Sequence, residues 1–263
     1  MSLLRVEGLT KEFGGVRAVE NLSFSIPAGA VFSIIGPNGA GKTTLLNLLT
    51  GIYVPSSGRI LLEERELTRC APYEYAARGI ARTFQNLQLF LNMSALENVM
   101  VGRYMRERCG LAAALFRFPA LARAERVARA EAEELMRYVG LADHVAASSD
   151  AMPYGSLKRL EIARALATKP RLLLLDEPAA GLNPIETLEV DALISKLAKS
   201  GITVVLVEHN MRLVMGVSDH ILVLDYGRQL AEGTADEVRH DPKVIEAYLG
   251  SGAAITATPP GAG

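Results

Sequence analysis

The sequence predicts an α/β fold: a mostly parallel sheet with helices on both faces, preceded by an N-terminal antiparallel β segment and interrupted by an inserted helical stretch. Three observations predict it. Short apolar runs alternate with helix-patterned segments from residue 172 onward, and such alternation implies parallel strands covered on both faces. An apolar run at Val31-Phe32-Ser33-Ile34-Ile35 passes directly into a glycine-rich turn and then a helix-forming segment. Between about Ser94 and Val139 there is no strand-like run, and Arg123 to Val139 is rich in Ala, Glu, Arg and Leu at helical spacing.

Residues 3–9 and 22–26 are partly alternating apolar segments set among breakers (Gly14-Gly15, Pro27, Gly29), the pattern of an antiparallel pair. Val31 to Ile35 is the next strand, Thr43 to Leu49 the first helix, and Ile60-Leu61-Leu62 a further short strand. Beyond the helical stretch, Leu157 to Leu166 reads as helix. Leu172 to Leu175 is then a strand, apolar throughout as strands buried on both faces are. A helix from about Ile185 to Lys199, a strand at Val204 to Val207, a helix from about Met211 and a strand at Ile221 to Leu224 follow. The Gly/Ala/Thr/Pro tail from Ser251 is expected to be disordered. No internal repeat is present. The expected organisation is one domain over residues 1–250, with a helical subdomain at about 86–158, and a tail at 251–263.

At 263 residues the chain can bury a substantial core, and 49% hydrophobic with 22% charged residues is globular composition. The formal net charge of -1 argues against a nucleic-acid partner, which leaves a basic footprint. Cys70 and Cys109 have neither metal-ligand spacing nor the number for a disulfide framework, so a reducing intracellular compartment is the simpler expectation. His144, His220 and His240 read as ordinary surface histidines, and no zinc site is expected. Glu7, Lys11 and Glu12 interrupt the apolar residues of the start, so no signal peptide is expected. No apolar run approaches the roughly 18 residues of a membrane-spanning helix, so any role at a membrane is expected to be peripheral.

Gly36-Pro37-Asn38-Gly39-Ala40-Gly41-Lys42-Thr43 matches G-x-x-x-x-G-K-[ST] in full, with a strand before it and a helix after it. Glycines let the backbone fold tightly round a phosphate chain so that N–H groups converge on it, and the helix start adds its positive dipole end. Lys42 supplies a cation to the β- and γ-phosphates, Thr43 a hydroxyl for Mg²⁺, and Thr44 a further hydrogen bond. A dinucleotide fingerprint fails, because Gly39-x-Gly41-x-x is completed by Thr44. Nucleoside triphosphate binding, in a phosphate-loop NTPase core, is the expectation.

Leu172-Leu173-Leu174-Leu175-Asp176-Glu177 is an apolar strand ending in two carboxylates. Asp176 suits a Mg²⁺ role, and Glu177, one residue on, suits positioning of the attacking water. Val204-Val205-Leu206-Val207-Glu208-His209 repeats the design and delivers His209 to the carboxyl edge of the sheet, where open α/β sheets place ligands. His209 is therefore a candidate sensor of the γ-phosphate.

In this order the motifs resemble the ATP-binding subunits of ABC transporters, over nearly the whole chain. The resemblance implies that Phe13 stacks on adenine and Val19 packs near the ribose. It implies that Gln85 reaches Mg²⁺ and the water while its loop touches a membrane subunit. It further implies a head-to-tail dimer in which a signature segment completes the site of the opposite chain. That segment departs from the family's usual Leu-Ser-Gly-Gly-Gln, reading Met152-Pro153-Tyr154-Gly155-Ser156. Tyr154, Gly155 and Ser156 are the candidate contacts in trans, through backbone N–H groups at a helix start, with Ser156 as the expected cap of that helix. Asn183 stands where the family usually has Asp.

Ala81-Arg82-Thr83-Phe84-Gln85-Asn86, the Tyr154-Gly155 pair, Arg159-Leu160-Glu161-Ile162-Ala163-Arg164, Gly181-Leu182-Asn183-Pro184, Val207-Glu208-His209-Asn210-Met211 and Val244-Ile245-Glu246-Ala247-Tyr248-Leu249-Gly250 look like the larger ATPase of branched-chain amino acid importers. So does a long segment from about Gly102 to Arg129. The resemblance implies ATP and Mg²⁺ as ligands and transmembrane permease subunits as partners. It also implies a second ATPase subunit (the same chain or a paralogue), an indirect link to a substrate-binding protein, and a place on the cytoplasmic face of the inner membrane. A urea or lipopolysaccharide transporter, and a non-transport ABC ATPase, are the rival readings. A cassette with dead chemistry, prompted by Pro153 and Asn183, is countered by intact Lys42, Asp176 and Glu177.

Overall fold

The computed structural model describes residues 2–104 and 119–250. Two compact units make up the chain. One is built from residues up to Arg69 together with those from His209 onward, and the other from Cys70–Glu208.

In the first unit β1 (Ser2–Phe13) and β2 (Val16–Pro27) form a long antiparallel hairpin, with Leu4 opposite Ile26 and Leu9 opposite Leu22. Both strands extend well past the apolar segments that announce them, because cross-strand pairing carries polar residues that alternation alone does not mark. β4 (Ser57–Leu62) pairs antiparallel on the other side of β1, with Val6 opposite Ile60, and β5 (Arg65–Glu66) closes that sheet. β3 (Val31–Ile35) lies parallel to β9 (His220–Asp225), which pairs antiparallel with β10 (Arg228–Gly233). β3 is buried along its whole length. Helices α1 (Lys42–Leu49), α7 (Met211–Val217), α8 (Ala235–His240) and α9 (Pro242–Gly250) complete the unit.

In the second unit β6 (Ile80–Arg82), β7 (Leu172–Asp176) and β8 (Thr203–Val207) are parallel neighbours. Leu172 to Leu175 are completely buried, as a strand covered on both faces requires. The helices are α2 (Pro72–Ala77), α3 (Ala95–Arg103), α4 (Pro119–Tyr138), α5 (Tyr154–Ala167) and α6 (Pro184–Ala198). Ser94 and Glu97 form a reciprocal capping box on α3, a start signal that Ser-x-x-Glu carries in the sequence.

The expected α/β class, with its antiparallel N-terminal sheet, mostly parallel strand pairs and helical stretch, is the observed one. β5, β6, β10, α2, α3, α8 and α9 were not anticipated; β5, β6, α2 and α8 span six residues or fewer, so periodicity has little to grip there. The expected disorder from Ser251, Cys109 and part of the 102–129 segment lie outside the described residues.

Candidate functional site

The glycine-rich loop joins β3 to α1. Gly36, Gly39 and Gly41 have positive φ, and a Cβ on Gly41 would come within 2.4 Å of the Ala18 carbonyl oxygen. This backbone course is open to glycine and closed to a side chain. No side chain caps α1, so its first-turn N–H groups form the kind of helix start that receives anions. Lys42 is buried, its Nζ donating to the carbonyls of Gly36 (2.8 Å) and Pro37 (2.9 Å), so the ammonium is folded back on its own loop. Ala40 is buried, Pro37 and Thr44 are half-buried, and Asn38, Gly39 and Thr43 are exposed. In the same unit Phe13 is 43% exposed and meets Tyr53 edge-on at 5.3 Å between centroids. Lys11 Nζ lies 4.9 Å from the Phe13 ring. Val19 is fully buried within β2.

In the second unit β7 delivers Asp176 and Glu177. The Asp176 carboxylate accepts from Arg82 Nη2 at 2.7 Å, both side chains nearly inaccessible. Arg82 reaches it because β6 and β7 run in register, with Arg82 opposite Leu174. Glu177 has φ +47°, an uncommon conformation for a residue with a side chain, costing of order 1–3 kcal/mol. Its N–H donates to the Val207 carbonyl at 2.9 Å. Its carboxylate accepts from Gln85 Nε2 at 2.9 Å, so the structure brings together two of the expected catalytic residues.

The loop carrying Gln85 is gripped by α5. Lys158 Nζ donates to the Gln85 carbonyl at 2.8 Å. Glu161 accepts weakly from the N–H groups of Phe84 and Gln88, both at 3.4 Å, and Arg164 donates to the Gln88 carbonyl. Lys158 and Glu161 are both about 2% exposed. Burial lowers the Lys158 pKa, opposed by Glu161, Asp176, Glu177 and Glu208; burial raises that of Glu161, opposed by the Phe84 N–H and by Lys158. Sequence reasoning missed these residues, although charges at i, i+3 and i+6 on a helix otherwise rich in Leu, Ile and Ala are a signal that they share one face. Glu208 was missed as well: 5% exposed, it accepts from the Ala179 N–H at 2.8 Å, beyond Glu177.

At the signature segment the expectation for Ser156 is corrected. The N-cap of α5 is Pro153 (φ −58°, ψ 151°), whose carbonyl accepts the Leu157 N–H at 3.0 Å. The fixed proline φ suits helix entry, and the helix therefore starts at Tyr154 and takes Ser156 inside its first turn. Ser156 is buried, and its hydroxyl accepts from Arg159 Nη2 at 3.3 Å. The Gly155 N–H, expected to be an open anion donor, is engaged by the Glu186 carboxylate at 3.2 Å. The ring of Tyr154 lies 3.4 Å from where a Cβ on Gly181 would stand. Asn183, where the family usually has Asp, caps α6 by accepting from the N–H groups of Ile185 and Glu186, both at 3.0 Å. His209 is exposed, at the end of the segment that follows β8.

Comparison with known proteins places these features in a lineage. A family profile described as ABC transporter matches residues 19–180, and one described as branched-chain amino acid ATP-binding cassette transporter matches residues 228–254. The chain is 46% identical over 249 residues to the high-affinity branched-chain amino acid transport ATP-binding protein BraF of Pseudomonas aeruginosa, covering 94% of this chain and 98% of that one. It resembles the ADP conformation of an ATP-binding cassette of an ABC transporter (TM-score 0.80, 32% identity, 95% and 99% of the two chains). It also resembles the dimeric post-hydrolysis state of a cassette bound to ADP and phosphate (TM-score 0.75, 25% identity, 88% and 98%). The glycine-rich loop, the strand-borne carboxylates and the matches across most of the chain lead to one conclusion: this protein belongs to the ABC transporter family, as one of its ATP-hydrolysing cassettes.

Proposed function

We propose that the chain powers an importer of branched-chain amino acids, and that residues 1–250 act as one cassette, with a helical insertion at about 86–158, on one bound ATP. The observation that carries the chemistry is the Gln85–Glu177 bond at the end of a wholly buried strand. Glu177 orients the attacking water and takes its proton, with Gln85 holding the carboxylate in place. Lys42 leaves the Gly36 and Pro37 carbonyls for the β- and γ-phosphates. Gly36 to Thr44 supply the cradle, Phe13 stacks on adenine, Val19 packs near the ribose, and His209 contacts the γ-phosphate. Thr43, Asp176 and Gln85 offer a hydroxyl, a carboxylate and an amide oxygen, all hard donors that suit Mg²⁺. An ion held by these residues would supply charge neutralisation to the transferring phosphoryl group.

Tyr154, Gly155 and Ser156 complete the site of a second cassette, either another copy or a paralogue. The Glu186 carboxylate must then leave the Gly155 N–H before an opposing γ-phosphate can take it. Gly155→Asp should be far more damaging than Pro153→Ser, since a Cβ at Gly155 already comes within 2.6 Å of the Glu186 side chain and the new carboxylate would face both Glu186 and the phosphate. Equal, mild losses of ATPase activity in the two variants would show that this segment does not face nucleotide.

Such a shared site makes specific ATPase activity depend on protein concentration. It should rise and then saturate, and the curve should shift to lower concentration when permease subunits hold two copies together. Flat specific activity down to concentrations at which light scattering finds only monomer would refute the shared site.

The transported solute is read from the relative named for branched-chain amino acid transport and from the match at 228–254. Among the described residues no helix is long and apolar enough to cross a membrane. Peripheral attachment to permease subunits on the cytoplasmic face is read instead from the family and the relative named for transport. A substrate-binding protein would connect only through those subunits. Deleting the gene should abolish high-affinity leucine uptake, restored by the wild-type gene and not by the Glu177→Gln variant. Intact leucine uptake with loss of urea uptake or of lipopolysaccharide export would reassign the solute.

A further inference from the structure

The C-terminal helix reaches the nucleotide loop. Val244 and Tyr248, four residues apart on one face of α9, pack against Ile35, Val214, Ile221, Val223 and Val238. Ile35 is the last residue of β3 and the immediate neighbour of Gly36. Beyond Ile35, the Tyr248 hydroxyl is hydrogen-bonded by the Gly36 backbone. Gly36 is buried and lies so close to β9 that a Cβ would stand 2.2 Å from the Leu224 carbonyl oxygen. Its own carbonyl accepts Lys42 Nζ at 2.8 Å. Gly36, at the mouth of the loop, is thus held by Tyr248 on one side and by the loop's lysine at its carbonyl.

We infer that Tyr248 is a positioning residue for the phosphate loop, through which the C-terminal helix sets nucleotide affinity from outside every phosphate-binding motif. The inference rests on the proposed reading of residues 36–44 as the nucleotide cradle. Burial raises the hydroxyl pKa to about 12, and the Gly36 bond opposes that rise, as an N–H donated to the oxygen does. The hydroxyl is therefore neutral at physiological pH and acts as an acceptor for the Gly36 N–H. Without it, a buried donor loses its partner, and the direction in which the chain leaves β3 is no longer pinned. Tyr248 falls within residues 228–254, the stretch matched by the branched-chain amino acid cassette profile, so that segment would be part of the nucleotide site.

Tyr248→Phe keeps the ring in its apolar cluster and removes only the hydroxyl. ADP titrated calorimetrically into the full chain should bind about three- to tenfold more weakly, with kcat little changed at saturating ATP. Amide exchange in the peptide covering Gly36 should accelerate, while the melting temperature stays within about 2 °C of wild type. Tyr248→Leu, which also empties the ring's place, should lower affinity and melting temperature together. If Lys42→Ala abolishes ADP binding while Tyr248→Phe stays within about twofold of wild type, the tether alone is overturned. A fall in melting temperature that accounts for the whole affinity change in Tyr248→Phe would also overturn it, leaving a structural role only. If Lys42→Ala itself binds ADP like wild type, the nucleotide reading of the loop fails, and the tether with it.

Discussion

Glu177→Gln should bind ATP as tightly as wild type and hydrolyse it on the order of 10²–10⁴-fold more slowly, accumulating as an ATP-bound dimer by gel filtration. The substitution is nearly isosteric. The Glu177 N–H still donates to Val207, and the Asp176–Arg82 pair is untouched. Gln85 Nε2 can still donate, to an amide oxygen in place of a carboxylate. Only the negative charge that holds and deprotonates the water is lost. The left-handed backbone at Glu177 strengthens the expectation, since a conformation this costly is kept where it aims a side chain. Turnover within a few-fold of wild type would remove Glu177 from the water-positioning role.

Lys42→Ala should abolish measurable ATP binding while leaving the fold intact. Charge-assisted hydrogen bonds contribute about 1.5–3 kcal/mol each, so losing two to the phosphates weakens binding by at least about 100-fold. The nucleotide-free protein should lose on the order of 1–3 kcal/mol of stability and still fold. The bonds lost there join Lys42 Nζ to two carbonyls at the loop's mouth, and α1 remains anchored by the buried Leu45, Leu46, Leu48 and Leu49. Nucleotide affinity like that of wild type would contradict the assignment of the loop.

Much of this molecule is legible in one dimension. The loop from Gly36 to Thr43 is a local pattern, because tight phosphate-binding turns need glycine and lysine at fixed spacing. The all-leucine strand ahead of Asp176 and the Asn183-x-x-Glu186 start of α6 are local too. The signature segment was less legible. Its departure from the family pattern is plain in the sequence, yet a serine near a helix start reads as the cap. Pro153 already supplies the entry geometry, and so Ser156 falls inside the helix. The three-residue β6 has no periodicity to read, and it exists because its backbone finds β7 in parallel register.

The apolar strands β3, β7 and β8, the helices α1 and α6, the phosphate cradle and the pair of strand-end carboxylates were determined by the sequence alone, since each depends on residues within a few positions of one another. Partners far apart along the chain were decided only by tertiary structure. Arg82 meets Asp176 across 94 residues and Lys158 meets the Gln85 carbonyl across 73. Glu186 takes the Gly155 N–H across 31, and Tyr248 comes back to Gly36 from the other end of its unit. The physical reason is the same in each case. A buried polar group must find a partner wherever packing puts one, and packing is set by which apolar faces meet, which no local window of sequence contains.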